Sequence, residues 1–431
     1  MIGTRGAPVD VLVVGAGPAG LSSAVAAADR GKQVLVLDLG LRAGGQIWRH
    51  RDEAALPRVA RQWLQRVRAA GVTIASSARV LDALSPDELV VDFGGRIDRQ
   101  RTRALILATG AKERLLPFPG WTLPGVVGIG GLQALIKSGL TLNGSRVVIA
   151  GTGPLLFPVA AAAVAAGADL VRVAEQVPLR TAAAFAMGLL AKPSAIRQAI
   201  GYRWAFRNTA YRTDSWVTAA EGDGRVRRVL LRDRGRSTAI DCDWLAASCG
   251  LCPNTELAEL LGCAIDGDAI RVDTSQATTV AGVWAAGECT GVKGDIAALA
   301  EGEIAGRAAA GDAPGSRRSS LQRRRESGRE FARRLAIDFA PRTELLHLAG
   351  ADTIICRCED VRRGDIDPRW TQRQAKLWTR IGMGECQGAV CGPACAALFG
   401  WQANVPRPPL GAPLCGDWAG ALVDEDVSGE R

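Results

Sequence analysis

The segment that most restricts this chain is Gly15-Ala16-Gly17-Pro18-Ala19-Gly20, set between the apolar run Val11–Val14 and an Ala-rich stretch that reaches Arg30. A strand that turns this tightly into a helix needs glycine where the backbone reverses and where the helix comes close. The same turn leaves backbone N–H groups free at the positive end of a helix dipole, a ready site for a pyrophosphate. A second apolar run, Val34–Leu37, ends in Asp38, 23 residues after Gly15. That is close to the ~20 expected for an acid that binds a ribose hydroxyl. Gly15, Gly17, Pro18, Ala19, Gly20 and Asp38 are therefore candidate dinucleotide-binding residues.

The pattern recurs. Val147–Ala150 leads into Gly151-Thr152-Gly153, then an Ala-rich helix, then an apolar strand ending in Glu175. Each copy is followed at a nearly equal offset by another apolar strand ending in glycine, Leu105–Gly110 and Leu245–Gly250. The fold class expected is α/β, with two Rossmann-like dinucleotide-binding domains, the second inserted in the first. The second turn is defective, because Leu156 replaces its third glycine and Leu155 and Phe157 crowd the helix start. Gly151, Gly153 and Glu175 thus either bind NAD(H) or another adenine nucleotide, or persist as a relic module kept for its fold.

At 431 residues the chain has length for about three domains. Hydrophobic residues at 48% and charged residues at 23% exclude a disordered protein. The uncharged run Val147–Ala168 is long enough to span a membrane, but Gly151, Gly153, Pro154 and Pro158 break it into strand, turn and helix. No basic segment with a cleavage site opens the chain, so a cytoplasmic location is expected, with peripheral membrane association as its variant. The net charge of +9 is local, with eight arginines between Arg317 and Arg334. No aromatic residues interleave with them in the way single-strand binders need, which argues against nucleic acid; the run reads as an exposed helix face, with partner docking as the sharper alternative.

Eleven cysteines in a reducing compartment point to metal or redox chemistry wherever they cluster. Cys356 and Cys358, 27 intervening residues, then Cys386 and Cys391 form a complete set of four thiolates. Such a set suits a [2Fe-2S] cluster or zinc, and Cys395 is close enough to substitute for a ligand. Cys249 and Cys252 form a Cys-x-x-Cys pair whose bland reading is two small buried thiols. Only two histidines, His50 and His347, are present, so no obvious imidazole acid or base is offered.

Several further segments carry a resemblance. Leu107-Ala108-Thr109-Gly110, Val283-Trp284-Ala285-Ala286-Gly287-Glu288 and the loop Gly44-Gly45-Gln46 are similar to the two-dinucleotide-domain flavoproteins of pyridine-nucleotide-disulfide reductase type. That resemblance implies FAD in the first module, with Gly45, Gln46, Ala108, Thr109, Gly110, Gly287 and Glu288 among its contacts; Glu288 stands where Asp is commoner. Where that family carries a redox disulfide, this chain reads Gly44-Gly45-Gln46-Ile47-Trp48-Arg49-His50, without cysteine. Ile355–Glu359 and Gly382–Gly388 resemble the bacterioferritin-associated-ferredoxin-like [2Fe-2S] domain, which favours the cluster over zinc. Residues 104–133 and the order of modules are similar to the larger subunit of bacterial heteromeric amine dehydrogenases, the group of opine oxidases, D-hydroxyproline dehydrogenase, dye-linked proline dehydrogenase and hydrogen cyanide synthase.

The domains implied are FAD-binding (1–118 and 251–310), NAD-like (119–250), a basic helical linker (311–345), a small helical [2Fe-2S] domain (346–400) and a Pro-rich tail (401–431). The resemblance implies a relay. A glycine-oxidase-like flavoprotein subunit oxidises the C–N bond, a small third subunit completes the complex, and a ferredoxin, quinone or respiratory chain accepts the electrons. No catalytic residue is assigned to this chain. The alternative is a self-sufficient NAD(P)H-dependent flavin reductase that passes electrons out through its cluster.

Overall fold

The computed structural model describes residues 7–189, 193–312, 319–401 and 406–410. Arg317, Arg318, Cys415 and most of the Pro-rich tail lie outside them. The chain divides into two compact units, Met1–Lys112 with Cys252–Ala332 and Val405–Arg431, and Glu113–Leu251 with Arg333–Asn404.

In the first unit β1 (Val9–Val14) is the centre of a parallel core, pairing β2 (Val34–Asp38) on one side and a long strand, Ile97–Leu107, on the other. Val11, Leu12 and Val13 are wholly buried, as expected of a strand covered on both faces. The strand Val283–Ala285 extends the sheet beside Leu105–Leu107, while Ala78–Ser85 and Glu88–Phe93 form an antiparallel flap on it. Helix α1 (Pro18–Ala28) begins with Pro at its first position, where the missing N–H costs nothing. It packs on the helix Asp295–Ala309 through glycines one turn apart. A Cβ at Gly302 would lie 2.1 Å from the Ala19 carbonyl oxygen, and one at Gly306 2.1 Å from that of Ser23.

The second unit repeats the plan. Arg146–Gly151 pairs in parallel with Asp169–Glu175 and with Trp244–Ala247, and Leu156–Ala165 is the helix that follows the turn. The uncharged run is therefore strand, turn and helix, and among the described residues no helix is long and apolar enough to cross a membrane. A three-stranded antiparallel sheet, Ser215–Glu221, Arg228–Asp233 and Arg236–Asp241, stands beside it. The C-terminal region holds the short hairpin Ile354–Cys356 and Val361–Arg362 and the helices Gln372–Thr379 and Cys391–Phe399. It packs on the inserted module within this unit: Leu348 and Val390 join the core around Trp121 and Leu245, and Trp121 Nε1 donates to the Ile354 carbonyl at 2.6 Å.

The basic run differs from expectation at one place. From Arg323 to Arg334 it lies in the helix Ser319–Asp338, but Arg325 is 1% exposed and not part of a solvated face. Its guanidinium donates to Gln276 Oε1 at 2.8 Å, to the Asp273 carbonyl at 2.7 Å and to Glu326 at 2.7 Å. Fixed partners on three sides make burial of this cation tolerable.

Candidate functional site

The three glycines of the first turn have three different physical reasons. Gly15 adopts φ +109°, and a Cβ there would lie 2.2 Å from the Ala108 carbonyl oxygen, so β1 and the strand ending at Leu107 close tightly over it. A Cβ at Gly20 would stand 1.7 Å from the Gly15 carbonyl oxygen, which fixes how closely α1 approaches the turn. Around Gly17 nothing lies within 4 Å of where a Cβ would be. Open space over the middle glycine, at the N-terminus of α1, is the cradle a pyrophosphate needs.

The other predicted residues gather at this turn or near it. Asp38 accepts from Ala16 N at 2.5 Å and from Gly40 N at 2.7 Å; burial holds its carboxyl above the usual range, against those two donors. Gly44 N donates to the Ala16 carbonyl at 2.8 Å, and Gly45, at φ +60°, lies so close that its Cβ would be 3.0 Å from Gly17 Cα. Gln46 is exposed beside this loop and accepts from Arg49 Nε at 3.2 Å. Ala108 N donates to the Val14 carbonyl at 2.8 Å, Thr109 Oγ1 to that of Asn254 at 2.7 Å, and Asn254 N to that of Gly110 at 2.9 Å. Gly287, at φ +85°, faces Ala19, whose Cβ would be 2.7 Å from any Cβ at that position. Glu288 follows it, half-buried, and burial raises its carboxyl with Asp295 adding to the effect.

Two residues here escape the sequence reading. Glu301 is fully buried and accepts from Gly287 N and from Thr290 Oγ1, each at 3.0 Å. Lys293, 7% exposed, donates to Glu301 at 2.5 Å and to Thr290 Oγ1 at 2.7 Å. Burial lowers the Lys293 pKa while Glu301 opposes the shift. This pair holds the Gly287–Thr290 turn in shape. The available signal was a pair of carboxylates at Glu301 and Glu303 inside an otherwise small-residue helix.

The second turn is built differently. Gly151 has no room for a side chain, since a Cβ would lie 2.3 Å from the Ser248 carbonyl oxygen. Gly153 N donates to Glu175 Oε2 at 2.7 Å, and Glu175 Oε1 accepts from Val177 N at 3.1 Å. Glu175 is 1% exposed, and burial pushes its carboxyl up to about 7.

The cysteines come together in the C-terminal region. Cys356 ends a strand, Cys358 lies exposed in the turn after it, and Cys391 opens the last helix with Cys395 one turn on. The loop 382–388 packs on that turn, where a Cβ at Gly384 would meet Cys358 Cβ at 2.3 Å. Thiol contacts join Cys358 to Cys386, and Cys391 to both Cys356 and Cys395. For Cys386, burial raises the pKa, but the N–H groups of Val390, Gly388 and Ala389 and the Cys358 thiol outweigh it and lower it overall. The Cys395 thiol, followed by burial, drives Cys391 far upward. The thiols thus meet in contacting sets, a donor chemistry that suits a [2Fe-2S] cluster or a zinc ion. Cys249 is half-buried and Cys252 buried, and burial pushes the Cys249 thiol up to about 12.

Residues 9–308 match the family described as pyridine nucleotide-disulphide oxidoreductase. The chain is 31% identical over 426 residues to the opine oxidase subunit designated A in Rhizobium meliloti, covering 90% of this chain and 92% of that one. It is 32% identical over 418 residues to hydrogen cyanide synthase subunit HcnB of Pseudomonas aeruginosa, covering 88% and 90%. The crystal structure of L-proline dehydrogenase from P. horikoshii superposes with a TM-score of 0.68 at 20% identity, covering 95% of this chain and 79% of that one, a likeness of fold. The chain belongs to the pyridine nucleotide-disulphide oxidoreductase family, in the group of the opine oxidase A and hydrogen cyanide synthase B subunits, and is an FAD-dependent oxidoreductase.

Proposed function

We propose that this chain is the FAD- and [2Fe-2S]-containing subunit of a heteromeric amino-acid or opine dehydrogenase, D-hydroxyproline dehydrogenase being one form, and that it relays electrons from a substrate-oxidising flavoprotein partner. The observation that carries the reading is the presence in one chain of an open pyrophosphate cradle at Gly17 and a gathered set of cysteine thiols. Flavin takes electrons in pairs and can release them singly, and a [2Fe-2S] centre passes them one at a time.

This chain's own residues do the holding. Gly15, Gly17 and Gly20 shape the cradle, the α1 N-terminus offers its dipole to the pyrophosphate, and Asp38 stands at the strand end where a ribose would lie. Gly287 and Glu288, braced by Glu301, border the same cradle. Cys356, Cys358, Cys386 and Cys391 supply thiolates, and the backbone N–H groups of Gly388, Ala389 and Val390 point at one of them, which favours the charged form. His50 Nδ1 donates to the Trp48 carbonyl at 2.8 Å, and no proton-abstracting role is assigned to it.

The relatives are themselves named as subunits, which supports a partner for this chain. The test is co-expression with a glycine-oxidase-like flavoprotein from the same genome. Under anaerobic conditions an amino acid or opine is expected to bleach the flavin of the complex and to leave the isolated chain oxidised. Reduction of the isolated chain by such an amine would overturn the relay.

A further inference from the structure

The glycine turn of the inserted module lies against this chain's own backbone. Thr152 Oγ1 donates to the Phe339 carbonyl at 3.2 Å. Gln176 Nε2 donates to Thr152 Oγ1 at 3.0 Å and to the Ala340 carbonyl at 2.9 Å. Gln176 Oε1 accepts from Arg342 N at 3.0 Å. Leu335 and Phe339 lie over the middle of the turn, for a Cβ at Gly153 would meet Leu335 Cδ1 at 3.5 Å and the Phe339 ring at 3.6 Å. Phe339 is 8% exposed and packs edge-on against Phe185 at 4.9 Å. Arg342 closes the contact: its guanidinium donates to the Gln176 carbonyl at 3.0 Å and to Asp214 at 2.8 Å and lies 3.6 Å over the Trp216 ring.

Several of the groups a pyrophosphate would use are engaged. Gly153 N is bonded to Glu175, Pro154 has no N–H, and the amides of Leu156 and Phe157 bond back to Gly153 and Pro154. Glu175, at the ribose position, is buried and turned onto the turn itself. The contrast with Gly17, where the space is open, is direct.

We propose that the second dinucleotide turn is a socket for this chain's own segment Leu335–Arg342 and takes no soluble dinucleotide. The residues at this turn do not fit NAD(H) without expulsion of that segment. The socket also anchors the cysteine-bearing region, which begins directly after Arg342, to the inserted module.

Two measurements on the FAD-loaded full chain test this. Anaerobic titration with NADH, NADPH and ADP, followed by calorimetry and by the flavin band, should give no saturable binding with Kd below about 1 mM and no bleaching. Saturable micromolar binding that slows exchange of the Thr152–Phe157 amides would overturn the proposal. Hydrogen exchange of the Phe339→Ala variant should show those amides exchanging at least about tenfold faster, with residues 11–20 unchanged. Unchanged exchange at the turn would equally overturn it, and if the variant does not fold the wild-type titration decides.

Discussion

At the scale of single residues, Gly17 and Gly20 separate binding from folding. Gly17 has an extended backbone that any residue can adopt and open space where a Cβ would go. Gly17→Ala should therefore leave the apoprotein's melting temperature nearly unchanged while filling the space a pyrophosphate needs, and FAD affinity should fall at least tenfold, about 1.4 kcal/mol. Gly20→Ala places a methyl group 1.7 Å from the Gly15 carbonyl oxygen. The helix must move, at a cost of about 1–3 kcal/mol or more, so FAD content and thermal stability should fall together. Thermal denaturation with flavin-to-protein absorbance ratios checks both. A Gly17→Ala protein that keeps full FAD affinity would contradict the assignment of the cradle.

At the scale of elements, the strand Asp169–Glu175 carries a pH signature. Burial raises the Glu175 carboxyl from 4.5 to about 7, so between those values the folded state holds a proton that the unfolded chain releases. The linked contribution is complete below about pH 4.5, is lost as pH rises through about 7, and is on the order of a few kcal/mol. Glu175→Gln removes the titration with little change of volume. Wild-type stability relative to this variant should decline between about pH 5 and about pH 8, measured by denaturant unfolding; a difference that stays flat or rises would contradict the burial argument.

The elements also show what a sequence can and cannot carry. The two modules, α/β in class with one inserted in the other, are legible because a tight turn between strand and helix forces glycine locally. The defect at Leu156 is legible for the same reason, and the helix does start there with Leu156 fully buried. The cysteine spacing is likewise local in each half. Two features are non-local and escape any reading of neighbours: Arg325 finds Gln276 and Asp273 across a long stretch of chain, and Phe339 returns to Thr152. Charge composition predicts exposure for Arg325, and only the tertiary partners reverse it.

The whole molecule is expected to carry both a flavin and a two-iron cluster in one chain. This is checked by purifying the full chain without oxygen and assaying it for FAD, iron, zinc and acid-labile sulfide. FAD is expected together with about two irons and two sulfides per chain. The iron and sulfide should be lost in Cys356→Ser and Cys386→Ser and kept in Cys395→Ser, and FAD should be kept in all three. Zinc in place of iron, with no labile sulfide, would contradict the claim.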